Sequence, residues 1–395
     1  MTIRSYIPCF DAHFPEEDRV AAIQHLLQSN YWTSGKKVDE FERVFAKRIG
    51  RSFATMTNSG SSALFAAIYS MGWKPGDKII TPAVTFPTAI SPLLWLGLVP
   101  VLVDVDDTLN IDPHKMEDSI KAVGGVEGAV IPHTLGNPVH PDVWGFFDRS
   151  VEDCCDALGS KIQGYSCGKF GTVSCFSFYP AHHITTIEGG MTLTNSPFHA
   201  ETIRRFVNWG RACWCRPGQD NSCGKRHDSI VDGVPWDHKY EFVLPGGNFK
   251  PGFDIQGVIG LAQLRKEEIY RERRKRNYAI IDAAIKSMHD IVSTAHKHNG
   301  SDPCWFGYPV GLNLRSNIRR SEVVRNLEGN GVGTRFVFGG NLARQQVLAS
   351  KCNIPLPLTK SDEVMQNWFV VACNQTVSPE EANFIGDTVK WAVTE

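Results

Sequence analysis

Three short stretches of the chain carry side chains that can do chemistry. Cys213-Trp214-Cys215, followed by Cys223, places three thiols close together. Thiolates two residues apart can chelate one metal centre, and a set of four suits either a structural zinc ion or a 2Fe–2S cluster. Of these only the cluster can carry electrons. The fourth ligand must come from elsewhere, and Cys154 and Cys155 lie beside Asp153. The second stretch, Ser177-Phe178-Tyr179-Pro180-Ala181-His182-His183, runs on to Glu188-Gly189-Gly190. An imidazole titrates near neutrality and suits proton abstraction, although a lone histidine is more often structural. The third stretch, Asn58-Ser59-Gly60-Ser61-Ser62-Ala63-Leu64, follows a strand-like run and opens a helix. Free backbone N–H groups and the helix dipole suit a phosphate there. A plain N-cap is the simpler alternative. Asp153 ends a strand-like run and Phe86 lies in Thr85-Phe86-Pro87-Thr88. In isolation these are a turn-capping Asp and a core Phe.

The elements that must position these residues alternate. Strand-like runs at Ser52–Thr57, Lys78–Thr81, Val99–Val105, Gly128–Pro132, Val151–Asp153, Val173–Phe178 and Gly190–Thr194 are interspersed with helical stretches at Ser61–Met71 and Ile90–Leu96. That alternation predicts an α/β fold with a parallel sheet covered by helices. From Asp254 the apolar stripe Ile255, Val258, Ala262, Ile269 predicts one long helix. The expected division is a large domain over residues 1–254, a connecting helix over 255–276 and a smaller domain over 277–395. The mixed charges of Arg265–Arg276 read as a solvated helix face rather than a nucleic-acid surface.

The 395 residues carry a net charge of −1, which allows two domains with a large core and argues against nucleic acid as a partner. Met1–Phe10 lacks a signal-peptide-like apolar run. The longest apolar stretch, Ala89–Val105, is broken by Pro92 and Pro100, so no membrane span is expected. The expected location is cytoplasmic. Eleven cysteines are then thiols rather than disulfides. Cys9, Cys167, Cys175, Cys304, Cys352 and Cys373 read as small buried apolar groups.

Taken in order, these segments resemble the vitamin-B6-dependent sugar aminotransferases of the DegT type. Trp32-Thr33-Ser34-Gly35 with Phe41-Glu42 resembles the N-terminal signature. More thinly, Gly333-Thr334-Arg335 and Gly340-Asn341-Leu342-Ala343-Arg344-Gln345 extend the likeness. The implied fold is aminotransferase fold type I, with a large, mostly parallel seven-stranded sheet and a small C-terminal α/β domain. His182 stands where that family has the lysine that forms a Schiff base with pyridoxal phosphate. Imidazole cannot form that imine, so ordinary transamination is not expected. The resemblance implies that Gly60, Ser61, Ser62 and Ser177 hold the cofactor phosphate. It further implies that Phe86 stacks on the ring and that Asp153 pairs with the pyridine nitrogen. Asn248, in Gly246-Gly247-Asn248-Phe249-Lys250, is implied to reach the phosphate of a neighbouring subunit, making the active unit a homodimer. The family's usual Arg after that aromatic is Lys250 here.

One branch, the CDP-6-deoxy-hexulose 3-dehydrase type, combines the Lys-to-His change with cysteines spaced C-x57-C-x-C-x7-C. Cys155, Cys213, Cys215 and Cys223 fit every interval. The likeness implies a pyridoxamine-phosphate-dependent, 2Fe–2S-containing C-3 dehydrase of a nucleotide-linked 4-keto-6-deoxyhexose, with CDP the favoured nucleotide, in 3,6-dideoxysugar biosynthesis. His182 would abstract the cofactor C4′ proton so that the C-3 hydroxyl leaves. Electrons would then arrive through the cluster from a separate NAD(P)H-dependent flavin and iron–sulfur reductase. Arg335, Asn341 and Arg344 are candidate sugar or diphosphate contacts, and Lys225, Arg226 and His227 a candidate reductase contact. The alternatives are a 3-dehydratase without a cluster, its cofactor regenerated by glutamate, and a catalytically inactive scaffold of the same fold.

Overall fold

The computed structural model describes residues 3–313 and 319–394. In chain order the first strands are β1 (Phe53–Thr57), β2 (Lys78–Pro82), β3 (Val99–Val103), β4 (Gly128–Pro132), β5 (Ser150–Asp153), the short β6 (Lys161–Ile162) and β7 (Tyr165–Ser166), β8 (Val173–Ser177) and β9 (Gly190–Thr194). Seven of them form one sheet in the order β1-β9-β8-β5-β4-β2-β3. β3, β2, β4, β5 and β8 run parallel, while β9 is antiparallel to both β8 and β1. β4 and β9 are buried at every residue, as expected of a sheet covered by helices on both faces. The strand expectations therefore hold, with ends shifted by a residue or two.

This topology sets the carboxyl ends of the parallel strands along one edge. Open α/β sheets bind ligands in the crevice outside that edge. β9, though reversed, presents its amino end there, because Gly190 pairs with Ser177 in the β8–β9 register. A side chain at Gly190 would collide with the Ser59 carbonyl, its Cβ lying 2.3 Å away. Only glycine lets β9 begin this close to the turn after β1.

The helix Lys36–Ile49 packs Phe41 and Phe45 against Phe178, with ring centroids 5.3 Å apart in each pair. Its start is held by a distant residue. Asp254 accepts the backbone N–H groups of Gly35 at 2.9 Å and Val38 at 3.0 Å. Past Asp254 the expected single helix is two, Ile255–Leu264 and Glu267–Ile285. The second runs past residue 276, because Ile281 and Ile285 continue its buried stripe into the C-terminal core. β10 (Ser229–Val231) and β11 (Val234–Trp236) form an exposed hairpin, and β13 (Ser301–Asp302) joins β6 and β7 in a small sheet. β12 (Val292–Ser293), β14 (Tyr308–Leu312), β15 (Thr334–Arg335) and β16 (Trp368–Val371) form a four-stranded antiparallel sheet. Its core combines Tyr308, Trp368 and Phe369 with Ile385 and Val389 of the helix Pro379–Ala392. Among the described residues no helix is long and apolar enough to cross a membrane.

Candidate active site

A cavity of about 710 Å³ opens at the carboxyl edge of the large sheet. The connections after β1, β2, β4, β5 and β8 each contribute to its wall. They supply Gly60 and Ser61, Phe86, His133, Asp153 with Cys155 and Asp156, and Ser177 with His182. Glu188 enters ahead of β9, following Ile187, whose φ of 72° is costly for a β-branched residue. That conformation is held by the Ile187 N–H donating to Thr185 Oγ1 at 3.1 Å and, from a distant helix, by Gln256 Nε2 donating to the Glu188 carbonyl at 2.5 Å.

At one end the helix Gly60–Ser70 points its N-terminus into the cavity. A Cβ at Gly60 would stand 2.6 Å from Ser177 Cβ, 2.9 Å from Ser177 Oγ and 3.3 Å from Cys155 Sγ. The backbone there is open only because residue 60 has no side chain, as an anion-binding helix start needs. Ser61 and Ser177 line the cavity as expected. Ser62 does not. Its N–H donates to Ser59 Oγ at 3.1 Å, and the two hydroxyls pair at 3.0 Å. Ser59 is the N-cap and also lines the wall, with Ser62 in the first turn as the donor to its side chain.

Asp153 lines the floor and accepts the Cys155 N–H on Oδ1 at 3.0 Å. Burial pushes its carboxyl above the usual range. His182 lies across from it, with its side chain 14% exposed and its ring 5.0 Å from that of Phe306. Burial and the positive charge of Arg274 push its pKa down to about 3, so the imidazole is neutral at physiological pH. Nδ1 has no hydrogen-bond partner but faces Asp156 Oδ1 at 3.5 Å. Burial and the neighbouring Asp153 push the Asp156 carboxyl up to about 8. His183 turns away, its Nε2 bonding to the Cys304 carbonyl at 2.8 Å. Asp156, His133, Phe306 and Tyr179 were not anticipated as cavity residues. Only Asp156 had a signal, three residues past Asp153 on the turn that ends β5.

Phe86 is half exposed on the wall, edge-on to Phe338 at 6.5 Å between centroids. Arg335 and Phe336 line the mouth. Asn341 and Arg344 are not among the residues that line this cavity. The buried Asn341 caps the turn Leu342–Arg344 and donates to Asp362 Oδ1 at 2.7 Å. Arg344 forms a bidentate pair with the same carboxylate. Asn248 is also outside the cavity of its own chain, bridged to Asn208, while Lys250 Nζ stacks over Trp209 at 4.3 Å.

The four expected metal ligands are not brought together. Cys155 sits in the cavity wall between Gly60 and Asp153. The sulfurs of Cys213 and Cys215 gather instead with a nitrogen of His238, all within 4.8 Å of one another. Cys223 Sγ lies 3.4 Å from His238 Nε2. Cys154 and the six cysteines assigned to packing are buried or half-buried, as that assignment requires.

The profile of the DegT/DnrJ/EryC1/StrS aminotransferase family matches residues 15–390. The chain is 37% identical to the lipopolysaccharide biosynthesis protein RfbH of Salmonella typhimurium, over 89% of this chain and 84% of that protein. It is 36% identical to a dTDP-4-dehydro-2,6-dideoxy-D-glucose 3-dehydratase of Saccharopolyspora spinosa, over 95% and 84%. Among solved structures, E. coli GDP-4-keto-6-deoxy-D-mannose-3-dehydratase with bound hydrated PLP superposes with a TM-score of 0.85 at 27% identity, covering 98% of this chain and all of that one.

Proposed function

The chain belongs to the DegT/DnrJ/EryC1/StrS aminotransferase family, and within it we propose that it is a pyridoxamine-phosphate-dependent 3-dehydratase of a nucleotide-linked 4-keto-6-deoxyhexose. The observation that carries this reading is His182, a neutral buried imidazole in the cavity where a transaminase of the family would need a lysine. Relatives at 36% and 31% identity are named 3-dehydratases, one of a dTDP sugar and one of a GDP sugar. The cavity fits the cofactor. Gly60 and Ser61 at a helix start, with Ser177, would take the phosphate, Phe86 would stack on the ring, and Asp153 would face the ring nitrogen. Bound there, pyridoxamine phosphate supplies the amine that condenses with the sugar ketone and the ring that accepts electrons.

The chain's own residues then move one proton and exclude water. His182 lines the cavity as a neutral imidazole, and its unprotonated ring nitrogen would take the proton from the carbon bearing the amine. Returned to the C-3 oxygen, the same proton lets hydroxide depart as water. Phe306 and Phe86 shield the site. Replacing His182 with Asn should slow single-turnover dehydration by about 10²- to 10⁴-fold, the usual worth of a positioned base. A near-normal rate with the cofactor bound would remove His182 from this role. Asn248 lies outside its own cavity, and we assign it to the phosphate of a second copy in a homodimer.

The finer expectation was reductive deoxygenation through a 2Fe–2S cluster fed by a separate reductase. Within one chain Cys155 lines the cofactor cavity, apart from Cys213, Cys215 and Cys223. A cofactor regenerated by glutamate is the second reading, favoured by a related 3-dehydratase whose structure holds a PLP–glutamate geminal diamine.

A further inference from the structure

We infer that Arg274 is a positioning residue for the base, a fixed positive charge anchored beside His182 that keeps the imidazole uncharged and so able to take a proton. The inference deepens the reading above and rests on His182 being that base. Arg274 lies on the helix Glu267–Ile285 and is completely buried. Nη1 donates to the carbonyl oxygens of Trp305 at 3.0 Å and Phe306 at 3.1 Å, while Nε and Nη2 have no hydrogen-bond partner. One turn earlier Arg271 pairs with Glu268, Glu272 and Asp302, whereas Arg274 forms no ion pair among the described residues. A buried cation without a counter-charge is costly to fold, and an apolar side chain of similar length would fill the space at lower cost. Burial lowers its own pKa, but a guanidinium starts so high that it stays charged. A lysine in the same place would give up its proton readily.

The peptide that Arg274 holds is the one that carries Phe306. That ring lies 5.0 Å from the ring of His182 and 4.4 Å from that of Phe10, and the Phe306 N–H donates to the Leu135 carbonyl at 2.8 Å. The guanidinium is therefore tied to the backbone of the residue that packs on the base. Burial first, and then this charge, hold the His182 pKa down to about 3, and both also lower that of His183. The other ionisable groups around the ring are Asp156, which faces Nδ1 at 3.5 Å, Asp153 in the cavity wall, Tyr179 and His183 on its own segment, and Cys304 beside His183. None of these carries a fixed positive charge. Arg335 does, but at the exposed mouth of the cavity, where water screens it. In the reaction His182 takes a proton from the amine-bearing carbon and returns it to the departing C-3 oxygen. Repulsion from Arg274 keeps the ring free to receive that proton and then presses it onward.

Histidine NMR on the full-length, cofactor-free protein tests this without substrate, the His182 signals being identified by their loss in His182→Asn. In wild type the imidazole should stay neutral from about pH 8 down to about 5, given a pKa of about 3. Arg274→Met keeps the length of the side chain, and Arg274→Gln keeps an amide donor for the two carbonyls. Both lack the charge. A charge within ~4–6 Å moves a pKa by about 1–3, so the His182 midpoint should rise by about 2 pH units in each variant, a ~100-fold gain in proton affinity. The ring would then be about half protonated near pH 5. A ring that stays neutral down to that pH in the folded variants would overturn the inference, because burial alone would suffice. So would a wild-type His182 that titrates above it. Circular dichroism and a cooperative melting transition identify a variant that does not fold, and where Arg274→Met fails Arg274→Gln decides. Failure of both to fold would make Arg274 structural and overturn the inference as well. His182 protonated as expected in the variants, beside a His182→Asn protein that dehydrates at a near-normal rate, would remove the proposed base and leave the charge effect standing.

Discussion

His182 and Asp156 face each other with pKa values displaced in opposite directions, and that has a consequence for the folded chain before any cofactor binds. Asp156 is held up at about 8 by burial and Asp153, whereas an unfolded aspartate titrates near ~3.9. Folded chains therefore keep a proton that unfolded chains release, so stability falls as pH rises from about 4 to about 8. His182, held down at about 3 by burial and Arg274, acts oppositely. Its contribution rises with pH from about 3 and is complete above about 6.5, the unfolded value. Between about pH 6.5 and 8 only the Asp156 contribution of this pair still changes. Asp156→Asn should flatten the decline in melting temperature of the cofactor-free protein across that interval. Parallel slopes for variant and wild type would show that Asp156 does not titrate there.

Single elements also carry function. The helix Gly60–Ser70 starts where β1 ends, and Ser59 caps it while leaving the first N–H groups toward the cavity. Gly60→Ala would drive a methyl into Ser177 and Cys155. Overpacking of that kind costs about 1–3 kcal/mol. The same methyl would cover the anion site, so pyridoxamine phosphate affinity should fall at least as steeply as stability, read by fluorescence titration and urea denaturation on the same samples. Unchanged affinity would move the phosphate away from this helix start. The segment from Cys213 to His238 behaves differently, because Cys213 and Cys215 meet His238 only across the exposed hairpin β10–β11.

For the whole molecule, the question is whether one chain makes a complete site. Asn248 lies outside its own cavity, and its proposed partner is the phosphate bound by a second copy. Mixing His182→Asn with Asn248→Ala subunits, each inactive alone, should then restore activity. Random pairing in a symmetric dimer leaves one intact site in half of the dimers, about a quarter of the wild-type rate. No recovery after confirmed subunit exchange would confine each site to one chain. Within a chain, Asp254 joins distant parts directly, taking N–H groups at the start of the helix Lys36–Ile49 from a position more than 200 residues away.

The strands and the parallel sheet were legible in the residues, because each depends on local pattern, whereas Gly60, Ser61, Phe86, Asp153, Ser177 and His182, which line the cavity, were singled out by the family resemblance of their motifs. Patterns of period two and helix-start chemistry act over a few residues, and a missing lysine needs no fold to be noticed. What depended on contacts distant in sequence was not legible. The spacing shared with the resembled branch nominated Cys155 as a metal ligand, but β5 carries it to the carboxyl edge of the sheet, beside Gly60. The chain after Cys223 instead returns His238 to the cysteines, a meeting that no interval along the sequence encodes. Asn341 and Arg344, which read as candidate ligand contacts, both pair with Asp362 on another helix. Residue types thus determined which chemistries were available to this protein, a proton-moving imidazole and a cluster of thiols. The tertiary structure decided which groups share a site, because chelation and proton transfer depend on separations of a few ångströms that only the folded chain sets.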